Sequence, residues 1–193
     1  MTRTTVAIVG TAGRLKDLRN LNYDIYFRMV KKARGVITEL WKLKWNNVQL
    51  VSGGAAWADH VAVSLFLMYQ PKVELQLYLP CEWDGEARTF VDDGTRNWRT
   101  NPGGTANSYH RRFSDRMGKE TLHGIDSAFN LGATKQVIPG FKARNAGPAS
   151  SDYLLAFTWG EGDVPKDGGT KDTWDKAHQF EGTRLHIPLI SLK

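Results

Sequence analysis

The chain lacks the marks of several common protein classes. Cys81 is the only cysteine among 193 residues, so no intrachain disulfide can form and no cysteine cluster can hold a metal. The five histidines, at 60, 110, 123, 178 and 186, show no zinc-type pairing. No apolar run approaches the roughly 20 residues needed to span a bilayer. Met1–Thr5 leads directly into a strand-like run, with no signal-peptide core. No membrane partner is expected, and the cytoplasm is the expected location. There is no Gly-x-Ser-x-Gly nucleophile elbow. The first glycine turn matches neither the Gly-x-Gly-x-x-Gly dinucleotide fingerprint nor the Gly-x-x-x-x-Gly-Lys-Ser/Thr phosphate loop. Serine hydrolases, the familiar dinucleotide dehydrogenases and phosphate-loop ATPases are disfavoured, and neither a cofactor nor a metal is expected.

What is present is ordinary in bulk. Hydrophobic residues make up 41% and charged residues 24%, and the length suits a single domain over residues 1–193 with a proper core. The net charge is +6, which fits an anionic partner, either nucleic acid or a phosphorylated small molecule. The basic residues are dispersed, with the densest clusters at Lys31-Lys32-Ala33-Arg34 and His110-Arg111-Arg112. Dispersion disfavours a nucleic-acid groove. Seven tryptophans are core or interface anchors, with some available to stack on a base.

Apolar periodicity gives an alternating order. Val6–Val9 reads as a buried strand, 23–45 as a helix, Val48–Val51 as a strand, 55–69 as a helix and Val73–Leu79 as a strand. This order predicts an α/β fold: a Rossmann-like, three-layer parallel sheet with helices on both faces. Residues 82–134 interrupt the pattern as a long polar insertion, with short helices expected at Ser108–Met117 and Thr121–Leu131. Loops of that length inside a compact domain are usually functional or disordered. Strands at Lys135–Ile138, Tyr153–Phe157 and Arg184–Ile187, and a helix at Thr170–Phe180, complete the reading.

Three glycine-rich turns follow apolar strands. They are Gly10-Thr11-Ala12-Gly13-Arg14, Ser52-Gly53-Gly54-Ala55 and, downstream of Tyr153–Phe157, Gly168-Gly169-Thr170. A strand ending in glycine and feeding a helix presents unpaired N–H groups and the positive end of a helix dipole, which suits phosphate. Arg14 is placed for an anion. Asp59 reads either as a cap for local amides or as an acceptor for a ribose hydroxyl, and Trp57 as packing or as a base-stacking wall. Arg144 and Asn145 lie on the surface or reach the same pocket. Trp159 and Gly160 open a stretch, Gly160–Asp167, that reads as a lid. Thr170 is a helix cap or a phosphate donor, followed by Lys171, Asp172 and Thr173.

The order of these segments, Val-Gly-Thr-Ala-Gly-Arg, Val-Ser-Gly-Gly-Ala-Ala-Trp-Ala-Asp, Arg144-Asn145, Leu-Leu-Ala-Phe-Thr-Trp-Gly and Gly-Gly-Thr-Lys-Asp-Thr-Trp, resembles the SLOG superfamily. That Rossmann-like group includes the Lonely Guy phosphoribohydrolases, the DNA-processing protein A fold and ligand-sensing domains. The resemblance covers most of the chain but not 82–134. It implies a pocket for a nucleotide or ADP-ribose-like ligand lined by Gly10–Arg14, Ser52–Gly54, Asp59 and Gly168–Thr173. The Lonely Guy motif Pro-Gly-Gly-x-Gly-Thr-x-x-Glu ends in a catalytic glutamate, and Thr173 stands at that position here. The expectation is therefore a binding protein that senses or sequesters a nucleotide-derived ligand, ADP-ribose-like or cyclic. A phage-encoded role in defence or anti-defence signalling is part of that expectation. The rival expectations are a hydrolase of N-glycosidic or phosphate bonds using Asp59, Asp172 or Asp175, and a DNA-binding module. The resemblance also implies a homo-oligomer.

Overall fold

The computed structural model describes residues 2–177 and 183–193. Among them, strands β1 (Thr4–Gly10), β2 (Val48–Ser52) and β3 (Glu74–Leu79) are followed by a small antiparallel hairpin, β4 (Trp83–Asp84) with β5 (Thr89–Phe90), and then by β6 (Thr134–Val137), β7 (Tyr153–Thr158) and β8 (Thr183–Pro188). Apart from the hairpin, these strands form one wholly parallel sheet in the order β6-β3-β2-β1-β7-β8. The chain builds outward from β1 to β6, then returns to the other side of β1. That reversal makes the carboxyl ends of β1 and β7 a topological switch point, where open α/β sheets hold ligands.

Side chains alternate across the sheet, and the two faces are packed differently. Val6, Ile8, Leu155 and Phe157 join a large core with α2 (Tyr23–Gly35), α3 (His60–Tyr69), α4 (Pro102–Met117) and α5 (Leu122–Asn130). Ala7, Val9, Leu154 and Ala156 face a smaller core with α7 (Ala146–Ala149) and α8 (Gly168–Ala177). Burial on both faces is what an all-parallel sheet requires, and the expected three-layer α/β architecture is the observed one. Alanines on the second face let short helices sit close to the strands. Two further four-residue helices, α1 (Leu15–Leu18) and α6 (Phe141–Arg144), lie next to the strand ends.

Several boundaries differ from the sequence reading for physical reasons. The first long helix is capped by Asn22, whose side chain accepts from the Ile25 amide, and it ends in a π turn at Val36–Leu40 rather than at 45. The helix expected from 55 starts at His60, because residues 55–59 form a turn that carries Trp57 and Asp59. α4 starts six residues before the expected Ser108. Pro102 in the first turn and the Asn101 side chain, which accepts from the Gly104 amide at 3.2 Å, outweigh two helix-weakening glycines. The last two expected strands lie within β7 and β8, while 178–180 of the expected final helix lie outside the described residues.

The 82–134 insertion is an enlarged β3-to-β6 crossover, tied to the rest by a buried polar network. His60 Nε2 donates to the Thr121 carbonyl at 2.9 Å, and its Nδ1 lies 2.9 Å from the Tyr26 hydroxyl. His110 Nε2 donates to the Gly54 carbonyl at 3.0 Å, and its Nδ1 lies 3.1 Å from the Thr121 hydroxyl. A carbonyl can only accept, so each imidazole carries a proton on Nε2, and burial keeps both rings neutral. Burial pushes His60 down to about 3, with His110 adding to the effect, and burial pushes His110 down to about 4. Protonation favours the unfolded chain, whose histidines titrate near ~6.5. This stabilisation is complete above about pH 6.5 and is lost as the pH falls toward 4, at roughly 1.4 kcal/mol per pH unit per histidine. Urea unfolding between pH 6.5 and 4.5 should therefore show an uptake of about two protons on unfolding, reduced by about one in His110→Gln. Stability that stays flat over this range would refute the network's neutral state.

Candidate functional site

The ends of β2, β1 and β7 are neighbours in the sheet, so the three glycine turns converge. A cavity of about 1,110 Å³ opens there, slightly above the ~300–1,000 Å³ typical of small-molecule sites. Its floor is built around Asp59. Asp59 Oδ1 accepts from the Gly10 amide at 3.2 Å, while Oδ2 accepts from the Ala55 amide at 3.4 Å and from Arg144 Nη1 at 3.2 Å. Both side chains of this ion pair are buried, with exposures of 4% and 10%. Gly53 makes the pair possible: a Cβ there would overlap the Arg144 guanidinium and lie 2.7 Å from Asp59 Oδ2. The Arg144 Nε–H is buried and has no acceptor among the described residues.

The first turn is braced by Thr11, whose hydroxyl donates to Asp17 at 2.9 Å and accepts from the Gly13 amide at 3.2 Å. At the rim, Asp167 accepts from Lys16 at 2.9 Å and lies 3.5 Å from Arg14. This contact fastens the end of the Gly160–Asp167 stretch to the first turn. In the third turn, Asp172 accepts from Asn145 Nδ2 at 2.9 Å and from Lys176 at 2.6 Å. The Thr173 hydroxyl donates back to the Gly169 carbonyl at 3.0 Å.

The sequence-derived residues Gly10, Thr11, Ala12, Arg14, Gly53, Gly54, Asp59, Arg144, Asn145, Trp159, Gly160, Gly168, Gly169, Thr170, Asp172 and Thr173 all line this cavity. Four others lie elsewhere. Trp57 is fully buried and packs against Phe113 and Tyr26, so it is core and not a stacking wall. Gly13 gives that indole room, since a Cβ on it would come within 2.6 Å of Trp57 Nε1. The buried Ser52 hydroxyl donates to the Asp59 carbonyl at 2.9 Å. Lys171 pairs with Asp175 on the exposed side of α8. The cavity also takes in residues the sequence reading did not select as site residues, among them Asp17, Arg96, Trp98, Tyr109 and Phe141. None of these belongs to a glycine motif, and three lie in the insertion; only the folded crossover brings those three to the strand ends.

Each carboxylate on the cavity wall is engaged. Asp17 takes the Thr11 hydroxyl, Asp59 takes Arg144, and Asp167 takes Lys16. The Lys16 hydrogen bond holds Asp167 below the usual carboxylate range. Burial pulls Asp172 upward, but the hydrogen bonds from Lys176 and Asn145 together outweigh it, so the net shift is downward. These two carboxyls are ionised at neutral pH, the wrong state for a general acid. Burial, with Glu82 and Asp92 nearby, pushes the Cys81 thiol up to about 11, which leaves little thiolate at neutral pH. Among the described residues, no set of three metal-ligating side chains gathers, and no helix is long and apolar enough to cross a membrane.

Removing one partner of a buried ion pair leaves an uncompensated charge. Asp59→Ala should lower the urea unfolding free energy by roughly 3–5 kcal/mol, whereas Lys171→Ala, at an exposed pair, should change it by less than about 1 kcal/mol. Equal effects would show that Asp59 is not the structural joint of the floor.

No family model matches the chain. Among solved structures, the fold is similar to that of DNA processing protein A (DprA) from Streptococcus pneumoniae, with a TM-score of 0.50 and 15% identity over 97% of this chain. This chain spans 50% of that one, and the likeness is one of fold: α/β, Rossmann-like, with a parallel sheet. A relative along the whole length is the "Uncharacterized protein R261" of Acanthamoeba polyphaga mimivirus, 35% identical over 192 residues that cover 98% of this chain and 99% of that protein. The chain therefore belongs to the family of this mimivirus protein.

Proposed function

We propose that the protein is a SLOG-type binding protein that senses or sequesters a nucleotide-derived small ligand, ADP-ribose-like or cyclic, in the strand-end cavity. The observation that carries this reading is an imbalance of donors and acceptors. The cavity-wall carboxylates already accept hydrogen bonds, while two residues that line the cavity, Arg144 and Trp159, each hold a buried N–H, at Nε and Nε1, with no acceptor among the described residues. A buried donor without a partner costs about 1–3 kcal/mol, and a phosphate or ribose oxygen would offset that cost. Glycine turns supply close backbone approach, and α8 directs its N-terminal end at the cavity through Gly168–Thr170. Thr173, where the resembled enzymes carry glutamate, spends its hydroxyl on its own helix. Binding without turnover suits a protein that removes or reports a nucleotide signal. We read that role as one in defence or in its evasion, and the viral origin of the relative suits a protein carried by a virus.

Titration calorimetry with ADP-ribose, AMP and cyclic mononucleotides tests the reading. At least one should bind and be recovered unchanged by chromatography after denaturation. Arg144→Lys keeps a cation beside Asp59 but lacks the Nε–H. It should weaken that binding by about 10-fold or more, as expected for a hydrogen bond to a charged group. Steady product formation would replace the binding role with a hydrolase. Absence of binding by every compound would remove the reading.

A further inference from the structure

The cavity has two chemically different parts. The floor, made by the strand ends, is polar and donor-rich. The outer wall comes partly from the β3-to-β6 crossover and is aromatic, with Trp98 and Tyr109 from the crossover and Phe141 from α6. Trp98 is 50% exposed, although an indole gains much from burial. It is nevertheless held in place. The Phe141 ring centroid lies 6.4 Å away at 36°, and the Arg99 guanidinium sits 4.8 Å from the indole centroid. The loop that carries Trp98 is braced at both ends. The Asn101 side chain donates to Asp92 at 2.5 Å and to the Thr95 carbonyl at 2.8 Å, and the Asn101 amide donates to the Asn97 carbonyl at 2.7 Å.

A fixed, half-exposed indole on the wall of a large cavity, above a floor suited to anions, fits an occupant that is anionic at one end and planar at the other. We infer that Trp98, with Phe141 beside it, is the base-stacking platform of this site and sets the preference for a nucleotide over a sugar phosphate. The inference rests on the binding role proposed above and adds to it the subsite that takes the base. Every base offers a π-face, so this platform selects for the presence of a base more than for its identity. The nearby Arg96 also lines the wall and adds positive potential on the path to the floor.

The comparison that isolates this contact is AMP against ribose 5-phosphate, which share the sugar phosphate and differ by the base. By calorimetry, the wild type should bind AMP about 5- to 100-fold more tightly than ribose 5-phosphate, the range expected from one base–aromatic stack. In Trp98→Ala that advantage should collapse toward unity, while the affinity for ribose 5-phosphate stays unchanged. Trp98→Phe should retain most of the advantage. Thermal melts of both variants should match the wild type, because the side chain is half-exposed. An AMP advantage preserved in Trp98→Ala, or a wild type that binds both compounds equally, would overturn the platform and leave the binding role standing. A wild type that binds neither would overturn the platform, and would remove the binding role as well where ADP-ribose and the cyclic mononucleotides also fail to bind.

Discussion

The Asp59 carboxylate joins three parts of the chain that are distant in sequence. One oxygen holds the end of β1 through the Gly10 amide. The other holds the loop after β2 through Ala55 and the segment before β7 through Arg144. The Asp59 main chain is held as well, by the Ser52 hydroxyl. A carboxylate this deeply buried is tolerable only when its charge is matched and its lone pairs are used. The surrounding sequence reflects that need: glycine at 53 so that the guanidinium can lie against the loop, and amides presented by the two strand ends. The order of the sheet brings these groups together, because the crossover from β6 to β7 must pass the strand ends on its way back across β1. Arg144 travels on that return.

The neutral histidine pair plays the matching role for the crossover. His110 reaches from α4 to the Gly54 carbonyl, and His60 reaches from α3 to Thr121 at the start of α5. The second glycine turn is thus fixed from two directions, by Asp59 through the Ala55 amide and by His110 through the Gly54 carbonyl. A segment of about fifty residues would otherwise be a loosely attached excursion; these hydrogen bonds lock it to the loop that forms the floor. The aromatic wall that it contributes therefore stands in fixed relation to the polar floor.

Much of the fold was legible because its signals are local. Val6–Val9 and Tyr153–Phe157 are uninterrupted apolar runs, and in a parallel sheet buried on both faces such runs are strands. The first two glycine turns were legible for the same local reason, since each follows a strand-like run directly, Val6–Val9 and Val48–Val51. What could not be read depends on encounters across the chain. Trp57 sits inside a glycine-rich motif, but its surroundings are set by Phe113 and Tyr26, and neither is near in sequence. Lys171 shares a motif with Thr170, yet helix geometry turns it outward to Asp175, one turn away. The reverse holds for Trp98 and Tyr109. Nothing adjacent marks them as site residues, and they reach the cavity only because α4 begins at Pro102 and the crossover folds back over the strand ends.

These two sources divide the chemistry of the cavity. The strand ends and their turns contribute amides, Arg144 and Asn145, groups whose positions follow from the sheet and its switch point. Such a floor suits an anion without distinguishing one phosphorylated compound from another. The crossover and α6 contribute rings and Arg96, whose positions follow from no rule of the parallel sheet. Discrimination between ligands that share a phosphate must come from groups that touch the rest of the molecule. On the proposed reading, anion binding falls to the β1–β2–β7 scaffold, and the choice of ligand falls to the segment of the chain that departs most from it.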